Sequence, residues 1–205
     1  MAYKGYAKFI VQEAFPESEA VVRKKNLSTV ELVYIAVCAA LMAVCSWISI
    51  PAPAPLAPFT LQTFAVFLVL LLLGGRRGFF TVLTYILLGA VGLPVFAQFM
   101  SGVGVLFGTT GGYIIGFLFS AAVYWALERV IGDKPVLKIA ALVLGLLVCY
   151  AFGTAWFMVV YARQAGAVGL GTALAWCVLP FIIPDLVKLA LAWALSTVLK
   201  RHVKL

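Results

Sequence analysis

FIIPDLVKLALAW, residues 181–193, sets a carboxylate, Asp185, and an ammonium, Lys188, into an otherwise apolar run. The run is one of several. The chain has 205 residues, of which 65% are hydrophobic and only 11% charged. A soluble domain is about half apolar and about a quarter charged. So much apolar surface cannot be hidden in one soluble core, and a bilayer is its natural solvent.

Six apolar spans are read along the chain: Leu32–Ile50, Phe59–Leu73, Phe79–Phe96, Thr109–Val130, Val136–Tyr161 and Pro180–Leu199. Most approach the ~20 residues that cross the hydrocarbon as a helix. Phe59–Leu73 is short, and its PAPAPLAP lead-in, residues 51–58, is expected to complete the crossing. Backbone groups in lipid need internal partners, so the spans are expected to be helices. No strand-like alternation recurs, which excludes a β-barrel. The first span is about nineteen apolar residues, longer than the 7–15 of a signal peptide, and reads as a retained helix. The expected fold is therefore all-α, a polytopic bundle of six transmembrane helices. Residues 1–27 form a cytoplasmic N-terminal segment, and residues 28–205 form the membrane domain with a short basic tail.

Charge sets the orientation. Lys4, Lys8, Arg23, Lys24 and Lys25 precede the first span. Arg76 and Arg77 separate the second and third, Arg129, Lys134 and Lys138 the fourth and fifth, and Lys200, Arg201 and Lys204 follow the sixth. Thirteen of the fifteen basic residues thus lie on one side, and the positive-inside rule puts both termini in the cytoplasm. The net charge of +8 is accounted for by these membrane-edge bases, which contact anionic headgroups. No basic stripe with interleaved aromatics is left for a nucleic acid.

Several chemistries are disfavoured. Cys38, Cys45, Cys149 and Cys177 are scattered without a CxxC or Cys/His cluster, so no metal site is expected. They read as small apolar fillers. The one histidine, His202, lies in the basic tail. There is no GxSxG, HExxH or GxxxxGK[ST] pattern, so neither enzyme activity nor ATP hydrolysis by this chain is expected. Energy for uphill movement would have to come from a partner or an ion gradient.

Against that background the two charges stand out. Residues three apart share a helix face. From Pro180, Asp185 lies about 8 Å and Lys188 about 12 Å into a crossing of about 30 Å. Each charge costs roughly 2.5–3.5 kcal/mol at mid-depth. A self-neutralising structural pair and a proton relay through Asp185 are the competing readings. The leading one is a ligand site, because intramembrane charges mark function by default. The ligand would offer donors to the carboxylate and an anion to the ammonium, on an apolar body.

The link GLPVFAQFMSGVGVLFG, residues 92–108, carries no charge and reads as a lid or pocket wall. Gln98 is its long polar side chain and a candidate contact; Gln62, one turn into the second span, is a weaker one. Gly108, Gly112, Gly116 and Ser120, each four apart, form a small-residue stripe expected to pack against another helix of the bundle. Tyr113 beside it could aim its ring at a ligand. Ala36/Ala40 and Ala39/Ala43 form two further small pairs on one face of the first helix. That pattern alone fits an internal contact and a docking face equally well.

TLQTFAV at 60–66, GLPVF at 92–96, GTTGGYIIGF at 108–117 and PDLVK at 184–188 together resemble the BioY family, the biotin-binding S components of energy-coupling factor (ECF) transporters. The resemblance covers about residues 30–200. It departs at Thr109, where the family usually has proline, and at Gln98, where asparagine is common; the family's arginine contact has no assigned position here. What it implies is a substrate-capture subunit for biotin uptake in a bacterial cytoplasmic membrane, without a cofactor. Asp185 would accept from the ureido N–H groups and Lys188 would meet the valerate carboxylate. Phe96, Tyr113 and Trp156 are candidates to pack against the bicyclic ring, chosen as aromatic residues and not matched to a family position. The resemblance also implies that the alanine face docks on a transmembrane coupling subunit carrying two cytoplasmic ATPases. The alternative outside the family is a self-sufficient, proton-coupled carrier of a small organic acid.

Overall fold

The computed structural model describes residues 28–52, 57–132 and 134–202. The expected cytoplasmic segment 1–27, the tip of PAPAPLAP at 53–56 and the His202 side chain lie outside the described residues.

Helix α1, Thr29–Trp47, starts at a capping box. The Ser28 hydroxyl accepts from the Glu31 N–H, and the Glu31 carboxylate accepts from the Ser28 N–H. This satisfies two of the donors that every helix N-terminus leaves open. After α1 come two short strands, β1 (Ser49–Ile50) and β2 (Phe59–Thr60), paired antiparallel with Ser49 opposite Thr60. The pair is an addition to the expected helices, and it brings the chain back to the bundle at Gln62.

The second helical run, α2, is Gln62–Val91, broken at Gly74 with φ 76°. The Gln62 amide lies 2.6 Å from the Tyr85 hydroxyl. In a straight helix these residues would be roughly 35 Å apart. Leu70 also packs directly on Gly78. The chain therefore doubles back at Gly74, and the expected second and third spans are the two arms of one hairpin. The first arm, residues 62–73, rises only about 18 Å. Glycine is required at the break because a side chain at φ 76° is strained. Glu128 closes the turn by accepting from the Gly75 N–H at 2.7 Å.

The link that follows holds a 3₁₀ turn, Ala97–Phe99, and a short helix α3, Val103–Phe107. Next come α4 (Gly111–Ile131), α5 (Pro135–Ala165), α6 (Leu170–Cys177) and α7 (Leu179–His202). Pro135 and Pro180 sit in first turns, where a missing N–H is tolerated. Pro184 does not open its helix. It lies inside α7 and offers no N–H to the carbonyl of Pro180. Among the described residues, five helical runs, counting α6 and α7 as one and the α2 hairpin as one, are long and apolar enough to cross a membrane.

The glycine stripe packs on α5, antiparallel. Gly112 lies on Trp156, Gly116 on Cys149, and Ser120 on Gly145, while Tyr113 lies on Gly153. Small residues alternate between the two helices, so the backbones approach closely. The alanines of α1 are divided. Ala39 and Ala43 are buried in the main core with residues of α2, whereas Ala36 and Ala40 face outward. An Arg77–Glu31 ion pair of 2.8 Å ties the start of α1 to the α2 turn.

Replacing Gly116 by valine should wedge α4 from α5 and destabilise the bundle by about 1–3 kcal/mol. A thermal scan in detergent should show a lowered midpoint. Gly171→Ala, inside a helix with open space around it, should not lower the midpoint.

Candidate functional site

The same end of the bundle gathers residues 57–60, the start of α2, the 92–110 link, the start of α4, the middle of α5, the end of α6 and the start of α7. Between them is a cavity of about 290 Å³, at the lower end of the range for small-molecule sites. Its wall includes Asp185, Lys188, Gln62, Gln98, Phe96 and Tyr113. Residues read from four separate stretches of sequence thus meet around one space.

Asp185 and Lys188 are buried, 2% and 9% exposed. Being three apart on α7, they project to the same side, and Lys188 Nζ donates to Asp185 Oδ1 at 2.8 Å. Two neighbours complete the arrangement. Thr63, on the first turn of α2, donates to Asp185 Oδ1 at 2.8 Å and accepts from Lys188 Nζ at 3.1 Å. Tyr150, midway along α5, donates to Asp185 Oδ2 at 2.6 Å. Among the described residues, no buried side-chain nitrogen or oxygen lacks a partner. The pair is not saturated, however. An ammonium has three donors and a carboxylate about four acceptor positions. Two of the first and three of the second are used by described residues. One N–H and one lone pair remain, on residues that line the cavity.

The remaining polar wall is held in place from behind. Gln62 accepts from the Thr60 hydroxyl at 3.1 Å and donates to the Tyr85 hydroxyl at 2.6 Å. Tyr113 shares a hydrogen bond of 3.0 Å with Thr154. Phe96 is fully buried, with its ring against Gly89 and edge-on to Tyr85 at 5.6 Å. A Cβ at position 89 would overlap that ring, so Gly89 is what admits it. Gln98 and Phe99 both adopt φ of 58°. That left-handed conformation costs a non-glycine residue roughly 1–2 kcal/mol, and it stands next to the cavity.

Trp156 behaves differently from the expectation. It is not among the residues lining the cavity. Its indole N–H donates to the Gly108 carbonyl at 3.0 Å, and its side chain covers Gly112. It braces the turn that carries Thr109 and Thr110, which do line the cavity. Sequence reasoning passed over Thr63 and Tyr150, the two neutral partners of Asp185. Thr63 stood inside the TLQTFAV motif. Tyr150 carried no local signal, because a tyrosine in an apolar helix is ordinary. Cys149 and Cys177 also line the cavity, beyond the filler role expected of them. Among the described residues no three His, Cys, Asp or Glu side chains are grouped to hold a metal ion.

The sequence model of the BioY family matches residues 21–205. The chain belongs to the BioY family. A relative from Thermotoga maritima, named biotin transporter BioY, is 41% identical over 173 residues, covering 83% of this chain and 96% of that protein. A probable biotin transporter BioY from Pyrococcus horikoshii is 42% identical over 135 residues, or 66% of this chain and 75% of the relative. The fold matches a crystal structure of the S-component for biotin from an ECF-type ABC transporter with a TM-score of 0.72. That match covers 83% of this chain and 90% of the other at 24% identity, and shows a shared architecture.

Removing the Tyr150 hydroxyl tests the polar cluster. Tyr150→Phe leaves Asp185 Oδ2 short of a donor and should lower stability by about 1–3 kcal/mol. The readout is the thermal midpoint of ligand-free protein. An unchanged midpoint would mean that the hydroxyl does not support the buried carboxylate.

Proposed function

We propose that this protein captures biotin as the S component of an ECF-type transporter in a bacterial cytoplasmic membrane, and that the cavity is the binding site. The observation that carries the reading is a buried, incompletely saturated charge pair on the wall of a small-molecule cavity, in a chain of the BioY family. The names of the relatives agree with it.

In this reading Asp185 accepts from the ureido N–H groups. Lys188 has one donor to spare and a flexible arm, and it meets the carboxylate. Because the two charges touch at 2.8 Å, reaching opposite ends of one ligand exchanges their mutual contact for ligand contacts. Thr63 and Tyr150 keep Asp185 solvated during that exchange. Gln62 and Gln98 supply further polar contacts, and Phe96 and Tyr113 the apolar walls for the ring. Trp156 acts indirectly, through the 108–110 turn.

We count six crossings, taking the α2 hairpin as two. The positive-inside rule then puts both termini in the cytoplasm and the cavity near the outer face. Residues 1–27 belong to the cytoplasmic side. The chain is read as a transport subunit and not as an enzyme. Its energy would come from a transmembrane coupling subunit with two ATPases, docked on the outward side of α1. Ala36 and Ala40 are the exposed half of the alanine pattern and so the half available to a partner. The self-sufficient proton carrier is disfavoured, because the carboxylate that would have to relay protons is held by Thr63, Tyr150 and Lys188.

Calorimetric titration of the detergent-purified chain with biotin should show binding without ATP. Asp185→Asn and Lys188→Ala should each weaken it roughly ten- to a hundredfold, the range of a hydrogen bond to a charged group. Wild-type affinity in both variants would reject the site. For docking, Ala36→Trp or Ala40→Trp should abolish ATP-driven uptake in the assembled transporter while biotin affinity stays. Full uptake by both variants would move the docking face elsewhere.

A further inference from the structure

The 92–108 link forms one side of the cavity and faces outward on its other side. Phe96, Ala97, Gln98 and Met100 line the space, while Phe99 between them is 62% exposed. This stretch is a roof, and it is strained, with two successive side chains in the left-handed region. Such strain persists only where surrounding contacts over-determine it. Part of the restraint is local: Phe96 N–H donates to the Met100 carbonyl, and Gly102 N–H to the Gly89 carbonyl. The rest comes from the last turn of α1. The Trp47 indole N–H donates to the Pro94 carbonyl at 2.8 Å. The Trp47 ring stacks on Phe99 with centroids 5.0 Å apart. The Ser46 hydroxyl shares its proton between the Val95 carbonyl and the Ala43 carbonyl of its own helix. Tyr85, whose hydroxyl accepts from the cavity-lining Gln62, meets the roof through the ring of Phe96.

We propose that Ser46 and Trp47 are positioning residues that latch the roof, residues 94–100, over the cavity. The outer end of α1 then sets how often the cavity opens, and through that the rate at which ligand enters and leaves. Trp47 grips the roof on its exposed side. Ser46 grips it on its buried side, where Phe96 connects it, through Tyr85 and Gln62, to the cavity wall. The helix that holds the roof is also the one presenting Ala36 and Ala40 outward, so a force on α1 is transmitted to the roof. The latch itself needs no ligand; only its effect on exchange rests on the cavity being the biotin site.

Cys177 lines the cavity beneath the roof and is 3% exposed, so its modification reports opening in ligand-free protein. The full chain in detergent is treated with a water-soluble maleimide, and labelling of each cysteine is followed by peptide mass spectrometry. Trp47→Ala removes one stacked ring and one hydrogen bond, and Cys177 should react roughly tenfold faster. Trp47→Phe keeps a ring without the N–H and should fall between. Cys38, buried on α1 away from the cavity, should react at its wild-type rate. An unchanged Cys177 rate in Trp47→Ala overturns the latch, as does equal acceleration at Cys38, which reports general loosening. Biotin should slow Cys177 labelling in the wild type. A Trp47 effect without protection by biotin supports the latch and counts against the ligand assignment.

Discussion

A carboxylate and an ammonium buried together beside a cavity constrain much of the rest of this molecule. Taking such a pair out of water costs several kcal/mol per ion, and the bundle answers by surrounding it. α7 supplies both charges on one face. α2 must start close enough for Thr63 to reach them, and α5 must run past so that Tyr150 does. The Gly74 reversal and the short first arm of α2 place Thr63 at the level of Asp185. The close glycine packing of α4 on α5 brings Tyr113 to the cavity on which Tyr150 also borders. The pair is thus held by three helices, yet it keeps one donor and one acceptor for something else.

How much of this was legible depended on whether the signal was local. Charges in an apolar run are visible at once, and so were Asp185 and Lys188. The helices were legible from length and composition, and the break between the arms of the hairpin from Arg76 and Arg77. Tyr150 and Thr63 were not, because their partner lies 35 and 122 residues away and a lone hydroxyl in a membrane helix is unremarkable. Trp156 was assigned by residue type, but its rotation about α5 carries it to the Gly108 turn and not into the cavity. The last span, read from Pro180, starts one residue earlier at Leu179 and runs through Pro184.

The alanine pattern shows the limit of sequence periodicity. At about 100° per residue, the pair 36/40 and the pair 39/43 are centred roughly 60° apart around the helix. A single face drawn from sequence hides the boundary between core and exterior that runs between them. Ala39 and Ala43 fall inside it, and Ala36 and Ala40 outside. Helix α1 therefore has three surfaces of different kinds: an inner side on α2, an outer side without a neighbour in the described chain, and an end that grips the roof. An element with those three surfaces can relate what touches the outside of the bundle to what happens in its cavity.

The most direct measurement is a structure of the chain loaded with biotin. The account predicts the vitamin in the cavity bounded by Phe96, Tyr113 and Gln98, with Asp185 and Lys188 each in hydrogen-bond contact with it. It would be contradicted by biotin bound elsewhere, or by biotin in the cavity with the 2.8 Å Asp185–Lys188 contact intact and neither side chain touching the ligand.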